Sequence, residues 1–548
     1  MPITESLIRN AFLHGDEVAL TEINPAIREN HGTAWHEFDL VEPNPAKRYR
    51  REMTWNQFNK LSNRFAHMLL DRGIGRGNKV ALLLMNCLEW LPLYFGVLKT
   101  GAVVVPLNYR YTADEIKYCL ELSDSDVLVF GPEFISRVEE IANDIPRVQL
   151  SYFLGDTEDC PEFAIDLMPH VKHFAGEDPE IELDDQDEAA IYFSSGTTGF
   201  PKAILHNHDS LMSAAECERA HHGQTRGDVF LCIPPLYHTG AKMHWFGSLL
   251  SCSRAVLLRG VRPDWIMRTV SEEGCSIVWL LVPWAQDILD AIERGEIRLD
   301  EHRLAQWRLM HIGAQPVPPS LIKRWKSYFP NHDYDTNYGL SESTGPGCVH
   351  LGVENIDHVG AIGVPGHGWE AEIRKPDGTV AAPGSGEVGE LCVRGRGLMT
   401  CYYKDEAATN AVLKGGWLYT GDMAEVDAEG FIYLVDRKKD VIISGGENIY
   451  PVQIEDFLRA HNEIKDVAVI GLPDDRLGEI TAAIIELKPG ATATEKSINE
   501  FCMDLPRYKR PRRIIFEDVP RNPTGKIEKP KLRERYGVTG LVGKATRA

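Results

Sequence analysis

The 548 residues contain no Cys-x-x-Cys pair, although eleven cysteines are scattered along the chain. That spacing excludes a zinc knuckle and offers no disulfide framework, so a reducing compartment is expected. No run of about 18 apolar residues occurs, the length a membrane-crossing helix needs. Met1 to Asp16 carries no long apolar core behind basic residues. Neither a membrane span nor secretion is therefore expected, and the cytoplasm is the expected location. Basic charge is also in deficit: 59 Lys and Arg stand against 80 Asp and Glu, a formal charge of −21. Nucleic acid or an anionic membrane is a poor main partner for such a chain. Any polyphosphate site must concentrate positive charge locally. Internal repeats and long low-complexity tracts are missing as well.

What is present begins with length, which suggests two or more structural units at roughly 100–200 residues per domain. From Thr54 the pattern alternates helix and strand. Trp55, Phe58, Leu61, Phe65 and Leu69 recur at helical spacing behind a Thr54 cap, and Gly73 ends the run. Val80 to Met85 reads as a strand, Leu88 to Leu98 as an apolar helix, Ala102 to Leu107 as a strand. The capping box Thr112 to Glu115 opens another helix before the strand Asp126 to Phe130. This βαβ order predicts a mostly parallel sheet covered by helices. Further strands are predicted near Val229 to Ile233, Ala255 to Leu258, Ile277 to Leu281 and Leu309 to Ile312. From about Gly360 the texture turns to Gly, Pro and alternating strands, which reads as antiparallel sheet. The charged cluster Asp436 to Asp440 interrupts it. The residues that follow have the pattern of a small α+β unit.

One segment carries chemistry on its face. Ser194-Ser-Gly-Thr-Thr-Gly-Phe-Pro-Lys202 follows the apolar stretch Ala189 to Phe193 and combines two glycines, four hydroxyls and a lysine. Glycines let backbone N–H groups turn toward an anion, hydroxyls donate further bonds, and the ammonium adds charge. The spacing is not that of a Walker A loop, which needs Gly-Lys followed by Ser or Thr. A solvated loop is the alternative for this segment by itself.

Five other segments follow in order: Pro235-Leu-Tyr-His-Thr-Gly240, Tyr338-Gly-Leu-Ser-Glu342, Gly416-Trp-Leu-Tyr-Thr-Gly-Asp422, Ser444-Gly-Gly-Glu-Asn-Ile-Tyr-Pro451 and Pro523-Thr-Gly-Lys526. Asp436-Arg437 lies before the Ser444 segment. Together with the Ser194 loop, this order resembles the adenylate-forming superfamily, from about Trp55 to Lys526. The Ser-Gly-Gly-Glu-Asn-Ile form is most similar to the acyl-CoA and aryl-CoA ligases.

The resemblance implies an α/β fold: a large N-terminal domain (1–436) of stacked, mostly parallel αβαβα sheets with a distorted β-barrel-like subdomain, a hinge at 437–440, and a small mobile α+β domain (441–548). It implies ligation of a carboxylic acid to coenzyme A with ATP and Mg²⁺, through acyl-AMP, releasing pyrophosphate and AMP. Transfer to a carrier-protein phosphopantetheine and a catalytically silent homologue are the alternatives. The partners are small molecules; the oligomeric state is open, a homodimer included.

By the same resemblance Ser194, Ser195, Gly196, Thr197, Thr198, Gly199 and Lys202 hold the β and γ phosphates. Glu342 binds Mg²⁺, a hard cation that takes carboxylate oxygen. Gly313, Ala314, Gln315, Asn337, Tyr338, Gly339 and Ser341 line the nucleotide, with Tyr338 offering its ring to adenine. Ser341 stands where the family usually has Thr, and the hydroxyl is kept. Asp422 accepts the ribose hydroxyls and Arg437 reaches ribose or phosphate. Lys526 bridges the carboxylate and the α-phosphate, cancelling repulsion between two anions. Rotation about Lys439 then removes Lys526 and brings Gly445 and Gly446 to the pantetheine tunnel. His238 lines the junction of acyl and phosphate sites and changes rotamer between the steps.

The acyl pocket is expected between the segment after His238, Val282-Pro-Trp284, Gly313 to Gln315 and the residues after Glu342. Trp245 and Trp284 are candidates to shorten it, which favours a medium-chain, branched, alicyclic or aryl acid. Packing between helix and sheet is the alternative for both. Lys242 is either a partner for a second substrate carboxylate or a helix lysine facing water. His206-Asn-His208 is read as capping and turn residues, and His221-His222 as surface.

Overall fold

The computed structural model describes residues 1–28, 49–194, 201–313, 317–438, 440–444, 447–474, 476–521 and 527–537. An eight-stranded sheet runs in the order Cys401–Tyr402, Ala203–Asn207, Glu188–Phe193, Val103–Pro106, Lys79–Leu83, Val127–Phe130, Leu150–Phe153 and Ile165–Asp166. It is parallel from Glu188–Phe193 to Ile165–Asp166, and antiparallel at the edge where Ala203–Asn207 and Cys401–Tyr402 attach. A seven-stranded sheet runs Asp333–Asp335, Leu309–Gly313, Ile277–Leu281, Val229–Cys232, Arg254–Leu258, Val18–Ile23 and Arg50–Thr54, parallel except for the last pair.

Three apolar clusters layer these sheets. Val80 and Leu82 face a middle layer shared with Phe230, Ile277 and the helices Trp55–Asp71, Trp90–Lys99 and Thr239–Ser251. Ala81 and Leu83 face an outer layer with the helix Ala113–Ser123. Val278 and Leu280 face the opposite outer layer with the helices Pro263–Glu273 and Val282–Glu293. Burying both faces requires continuous apolar strands, the pattern read from sequence. The αβαβα arrangement expected is the one observed. Helix starts follow local chemistry: Thr54 and Thr112 each form a full capping box, with Gln57 and Glu115. The sequence reading began at Thr54 and did not assign the strand Val18–Ile23, which pairs with Arg254–Leu258 next to the edge strand of the second sheet.

Beyond these layers a five-stranded antiparallel sheet joins Trp369–Arg374, Gly389–Gly395, Trp417–Val426, Leu413–Lys414 and Ile432–Arg437. Another five-stranded sheet joins Glu447–Ile449, Ile442–Ser444, Gly478–Leu487, Ile464–Asp474 and Arg513–Phe516, with helices and apolar clusters of its own. The change from one sheet to the other falls between Arg437 and Ile442. The segment Glu495–Phe501 is α-helical and continues as a 3₁₀ turn over Cys502–Asp504. No helix among the described residues is long and apolar enough to cross a membrane.

Candidate active site

The strands Glu188–Phe193 and Ala203–Asn207 form a hairpin, and its closing contacts pin both ends of the Ser194 loop. Ser194 N donates to Lys202 O at 3.0 Å, and Lys202 N donates to Ser194 Oγ at 3.2 Å. The exposed Lys202 side chain places its Nζ 4.5 Å from the centre of the Tyr402 ring. Ser195, Gly196, Thr197, Thr198 and Gly199 lie outside the described residues, as do Ala314, Gln315, Lys439, Gly445, Gly446 and Lys526.

Glu342 sits on the 3₁₀ turn Ser341–Ser343, held from two sides. His206 Nε2 donates to Ser341 O at 2.7 Å, and Met399 N donates to Glu342 O at 2.8 Å. The Tyr402 hydroxyl donates to Glu342 Oε1 at 2.7 Å. Burial, and then the Glu342 carboxylate, push the Tyr402 phenol above its ordinary range, so it stays a donor. Tyr402 reaches this place because Cys401–Tyr402 adds to the hairpin as an edge strand, Tyr402 opposite Ile204. The sequence reading missed it: a Tyr in Thr400-Cys-Tyr-Tyr403 carries no local sign of function.

Tyr338 packs its ring in a cluster with Ile204 and Val393 and donates its hydroxyl to Asp422 Oδ2 at 2.5 Å. Burial, with Asp422 second, raises the Tyr338 phenol well above its ordinary value. Asp422 pairs in register with Arg437 across two antiparallel strands. Two motifs fifteen residues apart thereby stand side by side. The Arg437 side chain is not among the described groups. Asn337, Tyr338 and Gly339 form the strand Asn337–Leu340, and Gly313 ends the strand Leu309–Gly313 next to it.

His238 caps the helix Thr239–Ser251, its Nδ1 accepting from Gly240 N at 3.2 Å. That helix divides its residues by the 3.6-residue period. Gly240 and His244 face Trp279: a Cβ at Gly240 would lie 3.0 Å from the Trp279 ring, and the His244 ring stacks on Trp279 at 4.6 Å. A Cβ at Gly313 would lie 3.6 Å from Trp279 Nε1 and 3.5 Å from Asn337 Oδ1. Trp279 thus stands between the His238 segment and Gly313, two of the walls expected for the acyl group.

Trp245 is on the other side of that helix. It packs in the middle apolar layer at ring distances of 5.8 Å from both Phe58 and Phe95, so packing is its role and it does not shorten a pocket. Trp284 packs, half-buried, against the outer layer behind the second sheet. Lys242 is fully buried rather than facing water. Its Nζ contacts the Tyr192 hydroxyl and lies 3.7 Å from the Tyr192 ring centre and 4.6 Å from that of Tyr94. Burial holds its ammonium pKa well below the ordinary 10.5.

Asn207 is the N-cap of the helix His208–His221, accepting from Ser210 N, as read from sequence, whereas His206 is a buried strand residue and His208 a buried first residue of the helix. The assignment of His221-His222 to the surface is overturned. His222 is buried among Glu218, His244, His311 and Asp335, and His221 stacks on His350 at 3.8 Å. Glu218 lies four residues before His222 on the helix that ends there, a spacing visible in the sequence; His244 is on the helix Thr239–Ser251, and His311, Asp335 and His350 are on strands distant in sequence, which local reading does not bring together.

Residues 40–403 match the family model described as AMP-binding enzyme, and residues 453–526 that described as AMP-binding enzyme C-terminal domain. The chain belongs to the AMP-binding enzyme family. It is 33% identical over 484 residues to the long-chain-fatty-acid-CoA ligase FadD13 of Mycobacterium tuberculosis, covering 88% of this chain and 92% of that one. It is 30% identical over 465 residues to a 2-succinylbenzoate-CoA ligase of Bacillus anthracis, covering 84% and 89%. A solved Mycobacterium tuberculosis fatty acyl CoA synthetase superposes with a TM-score of 0.72 at 30% identity, covering 98% of this chain and 99% of that one. Membership in this family places the chain in the adenylate-forming superfamily. In this AMP-binding enzyme Tyr402 touches both Lys202 and Glu342, and Tyr338, on the strand that leads into the Ser341 turn, bonds Asp422.

Proposed function

We propose that this AMP-binding enzyme ligates a carboxylic acid to coenzyme A with ATP. In the first step a carboxylate oxygen attacks the α-phosphorus and pyrophosphate leaves. In the second the coenzyme A sulfur attacks the acyl carbon, the thiol proton is lost, and AMP leaves. The observation that carries this reading is the tie through Tyr402, which brings the Glu342 carboxylate and the Lys202 ammonium to one ring. A carboxylate oxygen for Mg²⁺ and a cation for phosphate are the elements that phosphoryl-group chemistry needs near each other. The named activities of the relatives support the thiol acceptor.

Within this reading Asp422 takes the ribose and Lys526 neutralises charge between acid and α-phosphate. The domains 1–436 and 441–548 alternate about 437–440, within the cytoplasm. Trp279, between Gly240 and Gly313, bounds the acyl group and supports a medium-chain, branched, alicyclic or aryl acid over a long straight one. Pyrophosphate exchange across a panel of acids, followed by detection of free acyl-CoA, tests the proposal. Exchange and thioester release with an acid of this class are expected. Exchange without any coenzyme A thioester would redirect it to a carrier-protein ligase, and no exchange with any acid would end it.

A further inference from the structure

Glu218, His222, His244 and His311 meet beside Gly313, none of them more than 2% exposed. His244 Nδ1 is 2.6 Å from the Gly240 carbonyl. A carbonyl only accepts, so the proton of a neutral His244 is held there and Nε2 carries a lone pair. That Nε2 faces Glu218 Oε2 at 3.3 Å, an acceptor opposite an acceptor. His222 Nε2 and His311 Nδ1 are 2.9 Å apart and share one proton. A neutral pair therefore leaves one more bare nitrogen, either His222 Nδ1, 3.6 Å from Glu218 Oε2, or His311 Nε2. Neither Glu218 Oε2 nor His311 Nε2 has a hydrogen-bond partner among the described residues.

One nitrogen from each of the three rings lies within 4.8 Å of the others. Asn337 Nδ2 reaches His244 Nε2 at 3.4 Å and Glu218 Oε1 at 3.3 Å, which still leaves Glu218 Oε2 and His311 Nε2 unpartnered among the described residues, and lone pairs left so in a dry interior are costly unless a cation lies among them. Imidazole nitrogens with one carboxylate oxygen are the donor set of first-row divalent ions, zinc foremost. A second layer is present too. Asp335 Oδ2 stands 3.6 Å from His222 Nε2 and 3.5 Å from His311 Nδ1, as carboxylates do behind metal-binding imidazoles. The neighbouring group Cys217, His221 and His350 lacks this character, because the Cys217 thiol donates to Gly347 O at 3.0 Å.

We propose that Glu218, His244 and His311, the last through Nε2 while its Nδ1 donates to His222 Nε2, bind a divalent transition-metal ion of the zinc class, distinct from magnesium at Glu342. Bound there, the ion ties the helix Thr239–Ser251 to the strand Leu309–Gly313, two walls of the proposed acyl site. The test uses the full chain without a polyhistidine tag, equilibrated with Zn²⁺, dialysed into metal-free buffer and analysed for metal by mass spectrometry. One zinc per chain is expected, and Co²⁺ in its place should give visible d–d bands. Glu218→Gln should weaken zinc binding roughly tenfold or more, whereas His170→Asn, at an exposed ring elsewhere, should not. Folded wild-type protein with substoichiometric zinc and no cobalt bands would overturn the proposal. Metal content is read without any turnover, so the outcome is independent of the ligase reading.

Discussion

The Tyr402 hydroxyl donates to Glu342 Oε1 at 2.7 Å while the Lys202 ammonium lies over the same ring. A neutral hydrogen bond to a carboxylate contributes about 1.5–3 kcal/mol. Tyr402→Phe keeps the ring under Lys202 and removes only that bond. Adenylation, followed by pyrophosphate exchange at limiting Mg²⁺, should slow by roughly ten- to a hundredfold. Thioester formation from supplied acyl-AMP should stay near the wild-type rate. Equal losses in both halves would separate Tyr402 from the metal.

Lys526→Ala should nearly abolish adenylation and leave thioester formation from supplied acyl-AMP largely intact. The expectation follows from the two-domain division of labour, in which the lysine serves only the first step. Single-turnover measurement of each half-reaction checks it, and parallel loss in both would contradict it.

Trp279 and Trp245 should behave oppositely. Trp279→Ala opens the space between Gly240 and Gly313, and the preferred acid should lengthen in a chain-length series. Trp245 is packed against Phe58 and Phe95. Trp245→Ala should leave the chain-length profile in place and cost about 3–5 kcal/mol of stability by denaturant titration. A shifted profile for Trp245→Ala alone would reverse these roles.

His206 links stability to pH. Its ring is fully buried, and that burial lowers its pKa from 6.5 to about 4. Between these values the unfolded chain holds a proton that the folded chain does not. Stability therefore rises with pH across this window and falls as pH drops from 6.5 toward 4. The full contribution is about 3 kcal/mol, at about 1.4 kcal/mol per pH unit. Buried His208 and His332 shift the same way. Urea midpoints at pH 7 and pH 5 should differ less in His206→Gln, which keeps a donor for Ser341 O. An unchanged difference would place the acid sensitivity elsewhere.

Local rules carry the parts of this protein that were legible before folding. Capping boxes at Thr54 and Thr112, continuous apolar strands and the Asn207 cap depend on neighbours within a few residues, and each appears where its pattern stands. The Ser194 loop and the Tyr338, Asp422 and Lys526 motifs are likewise written in short runs. Lys242 and Trp245 were not legible in this way: a period of 3.6 sorts residues onto faces but does not say which face meets which sheet.

By itself the sequence determined the alternation of helix and strand from Thr54, the family and the residue types available for nucleotide chemistry, because those depend on local spacing. Tertiary structure alone decided that Tyr402 joins Lys202 to Glu342, that Trp279 rather than Trp245 stands between Gly240 and Gly313, and that His222 is buried beside Asp335. Apart from Glu218, four residues from His222, these contacts join residues tens to hundreds of positions apart. They exist because two stacked sheets and an added edge strand bury apolar faces together, and the polar groups carried along must find partners there.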